Sequence, residues 1–288
     1  MTSRYFGWLK DKYDRRDFLY KATFKAIPDT VVLREFLPGV RDQGTVSSCV
    51  GFGARGIGIA RDKRLGTYIA GLDYSPTWIY NWARAREGTL LSDCGCYPRN
   101  AFHMLYLKGF LPEEFWPYNP NKLDTTYPPS HLEPEAAKYP LLSYYRVVDG
   151  TIGIREAIAD GKFVFIGTPW FEKWLYPDNG VLEEVSVYDK VIGGHATALY
   201  GYEKSTNRFY GMNSWGGSWG REGLYTMPFQ AFNIFKKLGG YDAYYIGDFP
   251  ASEPDESGCK FSRAVAKSLN FLWKGFSKKT RFVAQGGR

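Results

Sequence analysis

Histidine is scarce in this chain, with three residues in 288, at positions 103, 131 and 195. Any chemistry that needs an imidazole base has few places to find one. Cysteine is nearly as scarce. Cys49, Cys94, Cys96 and Cys259 fall at irregular spacing, which excludes a disulfide framework for a chain of this length and makes reduced thiols the default. No run of about 18 apolar residues is present to span a bilayer. Residues 1–22 mix Lys10, Asp11, Lys12, Asp14, Arg15, Arg16 and Asp17 with aromatics, so the apolar region of a signal peptide is missing as well. Together these absences point to the cytoplasm, or to packaging from it, with association with a virion as one form of that. Acidic residues are missing altogether from Lys260 to Arg288, where eight basic ones stand. The net charge of +7 therefore belongs to the tail. Residues 1–259 hold 29 basic against 30 acidic residues, and nothing in the main body asks for a polyanion.

What is present is a folded globule. Aromatic residues make up 18% of the chain, with 9 Trp and 22 Tyr, which argues against disorder, and 288 residues suffice for one large or two small domains. Residues 1–40 form a polar, aromatic leader that ends at the turn signal Pro38-Gly39. From Cys49 to about Leu65 the apolar positions Val50, Ala54, Ile57, Ile59 and Ala60 predict a buried helix with Gly66 as its C-cap. Gly51, Gly53, Gly56 and Gly58 oppose it at about 1 kcal/mol each, unless neighbouring groups close in against them. Ser75 and Pro76 predict the N-cap and first position of a second helix, and Arg99 to Lys108 a third. Beyond a proline-rich loop the character changes. Strands are expected at 141–148, 163–167, 196–202, 209–212 and 224–227, with a helix at 152–159 among them. A helical half thus precedes a mainly β half.

Two stretches carry chemistry. In Gln43-Gly44-Thr45-Val46-Ser47-Ser48-Cys49, a cysteine at a helix start sits at the positive end of the backbone dipole, which favours thiolate. The Gln43 amide, brought back by the Gly44 turn, is a donor aimed where an oxyanion would form. The β half must supply the base. His103 lies in an apolar helix pattern and His131 in the proline-rich loop, whereas His195 follows Gly193-Gly194 at the start of an expected strand, where another chain could approach closely. Asn213, in Asn213-Ser214-Trp215-Gly216-Gly217-Ser218-Trp219-Gly220, can accept a hydrogen bond from His195 and fix its tautomer, and Trp215 can keep water from that bond. Cys94-Gly95-Cys96 is too tight a spacing for a structural zinc site.

Gln43-Gly44, Cys49, Gly194-His195-Ala196 and Asn213-Ser214-Trp215-Gly216 with Trp219-Gly220 resemble the papain-like cysteine peptidases in order and spacing, over about residues 38–248. The leader and the segment 109–118 look closer to bacterial and phage-type members. The resemblance implies an α+β, two-lobed papain-like fold. A helical N-terminal lobe (about 41–135) and a mainly antiparallel, β-barrel-like lobe (about 136–248) would form a catalytic domain with the cleft between them, flanked by the leader (1–40) and the tail (249–288). It also implies a cysteine endopeptidase working through a thioester, with no metal or other cofactor. Cys49 would be the nucleophile, His195 the acid and base, Asn213 its orienter, and Gln43 with the Cys49 N–H the oxyanion hole. Trp219 would floor the leaving-group side. Gly95, Cys96, Tyr97 and Pro98, with Gly194, Trp215 and Trp219, would meet a peptide or protein substrate. A silent papain-like subunit, or a cysteine amidase or transpeptidase, fits the same residues.

Several positions depart from the family pattern. Val46 stands where many relatives have a disulfide cysteine, Ser47 replaces a common glycine, and Val50 replaces an aromatic. Cys96 replaces a glycine that lies against substrate. The 48 residues ahead of Cys49 are too few for the long helical propeptide of eukaryotic relatives, so the leader is expected to be a packed arm, with Tyr5, Phe6 and Trp8 over the cleft. In the tail, Phe261, Val265, Leu269, Leu272, Trp273 and Phe276 recur at helical spacing between basic residues, a pattern suited to an anionic membrane surface, a nucleic acid or a protein partner.

Overall fold

A computed structural model describes residues 4–249. The basic amphipathic pattern of the tail and Cys259 lie outside the described residues. In chain order the elements are strands β1 (Leu19–Tyr20) and β2 (Thr30–Val32), helices α1 (Cys49–Leu65), α2 (Pro76–Glu87), α3 (Pro98–Lys108) and α4 (Glu133–Ala136), strand β3 (Tyr144–Val147), helix α5 (Gly150–Ala159), strands β4 (Val164–Phe171), β5 (Val191–Glu203), β6 (Arg208–Met212) and β7 (Leu224–Pro228), helix α6 (Ala231–Lys237) and strand β8 (Asp242–Ile246). Among the described residues no helix is long and apolar enough to cross a membrane.

Helix α1 runs through the middle of the molecule, with every residue from Cys49 through Asp62 buried. It stops at Gly66, whose φ of +69° is the left-handed geometry a C-cap glycine supplies. Its glycines are tolerated because neighbours occupy the space a side chain would take. A Cβ on Gly53 would lie 2.8 Å from the Phe165 ring, and one on Gly58 2.9 Å from Phe110. Packing therefore offsets the poor helix propensity. α2 begins as its residues predict, with Ser75 Oγ accepting the Trp78 N–H at 3.1 Å and Pro76 at the first position.

The strands form one sheet in the order β1-β3-β8-β4-β5-β6-β7, with β2 also paired to β5. β1 and β3 run parallel and the other pairs are antiparallel. The sheet stays open rather than closing into a barrel. α1 to α3 and one side of the sheet enclose one apolar core, and α5, α6 and the tryptophans of the β half enclose a second.

Three differences from the sequence reading matter. β5 begins at Val191, so His195 lies inside a strand, opposite Thr168, rather than at its start. Glycines 193 and 194 hide the strand from propensity, yet they remain in register with Trp170 and Pro169. The leader also joins the fold. β1 and β2 pair with β3 and β5, and a single compact unit extends to Asp248. Strands of two and three residues have no periodicity to detect. α6 and β8 were likewise unsignalled.

Substituting Gly53→Leu drives a branched side chain into the Phe165 ring. Overpacking of a filled core costs about 1–3 kcal/mol, so the urea unfolding midpoint should fall accordingly at unchanged slope.

Candidate active site

Gln43 is set by the β half rather than by the Gly44 turn alone. Residues 41–43 lie antiparallel to residues 214–216. The Gln43 N–H donates to the Ser214 carbonyl at 2.9 Å, the Gly216 N–H to the Arg41 carbonyl at 3.2 Å, and Asp42 bridges Trp215. The side chain is fixed as well. Ser214 Oγ donates to Gln43 Oε1 at 2.7 Å, which leaves Nε2 as the outward donor. Nε2 donates to the Val46 carbonyl at 2.8 Å and to the Tyr5 carbonyl at 3.2 Å. Cys49 opens α1 a few residues later and has no exposed surface.

His195 is equally buried. Its Nε2–H donates to Asn213 Oδ1 at 2.7 Å. The same oxygen accepts the Ser214 N–H at 2.8 Å, which holds the amide with its oxygen toward the ring. Nδ1 is buried and has no hydrogen-bond partner among the described residues. The tautomer that makes Nε2 the donor leaves Nδ1 as the free base. Trp215 stacks on the imidazole at 4.4 Å between centroids, and Trp170 meets it edge-on at 4.9 Å. Trp219 stands behind Trp215 at 5.4 Å, with its Nε1–H on the Leu175 carbonyl. It supports the wall and is itself buried.

The leader lies across these groups. Phe6 meets both His195 and Trp215 edge-on, at 6.0 and 5.8 Å. The Trp8 N–H donates to the Gly194 carbonyl at 2.9 Å, the Cys96 N–H to the Gly7 carbonyl at 2.9 Å, and the Leu9 N–H to the Cys96 carbonyl at 3.1 Å. Cys96 thus makes main-chain pairing of the kind a glycine would, and its side chain turns into the core. The fit leaves no room for larger residues. A Cβ on Gly7 would be 1.7 Å from the Ser47 carbonyl oxygen, and one on Gly95, at φ +80°, 2.3 Å from the Gly7 carbonyl oxygen. Tyr97 caps α3 and Pro98 is its first residue.

Closure sets the charge state. Burial pushes the Cys49 thiol up to about 12, against the backbone N–H groups of Ala196, Gly7, Val50 and Cys49 that face the sulfur. Burial pulls His195 down to about 4, against the Asn213 bond. Burial thus works against the thiolate that the helix dipole favours. A helix N-terminus is worth about 0.3–1 kcal/mol, and removing an ion from water costs several.

The arm is anchored on a carboxylate cluster that no local signal in the sequence marks. Asp242, fully buried at the start of β8, accepts Trp8 Nε1–H and the Asp11 N–H through Oδ2, both at 2.9 Å, and Arg146 through Oδ1 at 2.6 Å. Asp11 accepts from the Tyr244 hydroxyl at 2.9 Å and from the Arg99 N–H at 3.1 Å. Asp17 takes Arg99 at 2.6 Å and Arg146 at 3.3 Å. Burial, with the Asp242 carboxylate next, raises Asp11 above the usual carboxylate range, and burial raises Asp242 too. The parts played by Ser214, Trp170 and Asp242 leave no local mark in the sequence, because each acts through partners far along the chain.

Residues 27–236 match the papain family cysteine proteases, and the chain belongs to that family. An uncharacterized peptidase C1-like protein of Acanthamoeba polyphaga mimivirus is 28% identical over 264 residues, which are 79% of this chain and 82% of that protein. Xylellain, a cysteine protease from Xylella fastidiosa, superposes with a TM-score of 0.74 at 24% identity, covering 88% of this chain and 99% of that one. Digestive procathepsin L 3 from the larval midgut of Tenebrio molitor superposes at 0.65 with 18% identity, over 80% and 74%. The chain is thus a cysteine protease by family, with the papain-like fold.

The raised Asp11 predicts a pH-dependent arm. A carboxyl whose docked pKa exceeds its free value takes up a proton on docking. That contribution is complete below the free value of about 4 and is lost as pH rises through the docked value. Hydrogen-exchange protection of the Trp8 and Leu9 amides should therefore fall between acid and neutral pH, and Asp11→Asn should flatten the profile.

Proposed function

We propose that the protein is a cysteine endopeptidase whose nucleophile is Cys49 and whose acid and base is His195, held at rest by its own leader. The observation that carries this reading is the His195 Nε2–H to Asn213 Oδ1 bond at 2.7 Å, which leaves a buried, unpartnered Nδ1 in the same closed site as Cys49 and the Gln43 donor. Once the arm leaves, solvent returns and the desolvation that keeps both groups neutral is relieved. The Cys49 proton passes to His195 Nδ1, and the sulfur attacks the carbonyl carbon of the substrate. Gln43 Nε2 and the Cys49 N–H take up the oxyanion, replacing the Tyr5 carbonyl on Nε2. The C–N bond then breaks as His195 returns the proton to the departing amine. Water, deprotonated by His195, hydrolyses the thioester and restores the thiol.

The arm is poorly placed to be cut by this route. The carbonyl on Gln43 is that of Tyr5, whereas the sulfur faces the N–H of Gly7, two residues on. The nucleophile meets a donor instead of an electrophile. The same thioester would serve an amidase or a transpeptidase, and product analysis with a peptide and an added amine separates these.

Gly7→Leu supplies the test, since the arm cannot seat with a side chain at that position. Labelling of Cys49 by a thiol-directed epoxide near pH 6 should be at least about tenfold faster in this variant than in the unaltered chain, because a site open in only a small fraction of molecules reacts in proportion to that fraction. Peptide hydrolysis should rise with it and vanish on adding Cys49→Ala. Absence of selective Cys49 labelling in Gly7→Leu would sink the peptidase reading, and equal rates in the two chains would sink the closed arm.

A further inference from the structure

Gln43 and Cys49 are close in sequence but are held by different parts of the molecule. The Gln43 N–H and Oε1 are set by Ser214 of the β half, whereas the Cys49 N–H belongs to the first turn of α1. A gap between two donors held in different places has no fixed width unless something spans it. The Tyr118 hydroxyl spans it. It lies 2.6 Å from the Gln43 carbonyl oxygen and 2.7 Å from Ser48 Oγ. A carbonyl only accepts and a phenol has one proton, so the directions follow: Tyr118 O–H donates to Gln43, and Ser48 Oγ–H donates to Tyr118. Ser48 shares with Cys49 the peptide bond that carries the Cys49 N–H. Two hydrogen bonds in series therefore run from the backbone of one donor to the backbone of the other.

Tyr118 is itself fixed from several sides. Its N–H donates to Glu113 Oε1 at 2.9 Å, and the same oxygen takes the Arg41 guanidinium at 2.6 Å, two residues before Gln43. Its ring meets Phe52 of α1 edge-on at 4.8 Å. Two residues on, the Pro120 carbonyl accepts the Thr45 N–H at 2.7 Å. The loop that carries Tyr118 thus grips the chain on both sides of Gln43. Burial raises the phenol above its ordinary range, so the hydroxyl keeps its proton through neutral pH. Gln43 and Ser48 have no exposed surface, and loss of the hydroxyl would take this partner from both at once, which buried polar groups bear badly.

We infer that Tyr118 is a positioning residue for the oxyanion hole: its hydroxyl fixes the spacing of Gln43 Nε2 and the Cys49 N–H, and it acts through them alone. This rests on the peptidase reading above and adds a group to its machinery. The oxyanion exists only during the reaction, so a loss of spacing falls on kcat and leaves KM nearly unchanged.

The full-length Gly7→Leu chain carrying Tyr118→Phe tests this, because phenylalanine keeps the ring and removes the hydroxyl. Losing one oxyanion donor outright costs about 10²–10³ in kcat, and misplacing one costs part of that. For a peptide substrate kcat should therefore fall at least about tenfold, with KM within about twofold. Affinity for a peptide aldehyde, whose adduct with Cys49 sets an oxygen between the two donors, should fall by about the same factor. The rate at which Cys49 takes 2,2′-dipyridyl disulfide, followed by mass spectrometry, involves no oxyanion, and its pH profile should match that of Gly7→Leu alone. Unchanged kcat and aldehyde affinity would overturn the inference. So would a disulfide rate that falls along with kcat, since Tyr118 would then be holding α1 and the thiol. If Cys49 in Gly7→Leu does not react with the disulfide and no peptide is cleaved, the peptidase reading has failed. If Cys49 reacts and both chains cleave the peptide equally fast, only the role of Tyr118 has.

Discussion

The clasp between Gln43 and Ser214 holds the site together. Two main-chain hydrogen bonds flanking Asp42 and one from the Ser214 hydroxyl bind the segment before α1 to the loop after β6. Cys49 follows the first segment and Asn213 immediately precedes Ser214, so one joint sets both. Gln43 could present its amide either way round, and Ser214 decides the question by donating to the oxygen. Tyr118 adds a third strut, its hydroxyl donating to the Gln43 carbonyl at 2.6 Å and bonding Ser48 Oγ at 2.7 Å. A preorganised donor of this kind spends no free energy on reorganisation during a reaction.

Closure by the arm explains an apparent conflict between parts. The helix dipole, the free Nδ1 and the fixed Asn213 all favour an ion pair, while complete burial favours neutral thiol and imidazole. In the closed molecule burial prevails because it acts on each full charge and the dipole supplies only about half a charge at the helix end. The aromatic cage of Phe6, Trp170 and Trp215 around His195 keeps that balance by excluding water, and Phe6 is the one member that belongs to the leader. Removal of the arm thus changes the electrostatics of the site as well as access to it.

From Asp11 to Val32 the leader is also tied into the body. Asp11 and Asp17 engage Arg99 and Arg146, β1 and β2 add strands to the sheet, and Glu156 accepts the N–H groups of Thr23 and Lys25 at 2.7 and 3.1 Å. Opening the cleft need not undo all of this. The contacts over the site and its carboxylate anchor span Tyr5 to Asp11, ahead of β1 and β2, so a short segment can lift while those strands hold.

The sequence by itself determined the parts whose signal is local. Helix ends at Ser75-Pro76 and Gly66, the two-half order of helices and strands, and the four residues Gln43, Cys49, His195 and Asn213 are all legible, because capping chemistry, periodicity and short motifs depend on neighbours in the chain. Tertiary structure alone decided the rest. Asp242 is an unremarkable residue until β8 lies beside β4 and places it under Trp8, 234 positions away. The orientation of Gln43 waits on Ser214, 171 positions away. Whether Cys49 is a thiol or a thiolate depends on the arm over it, since desolvation is a property of the whole fold and leaves no trace in local sequence.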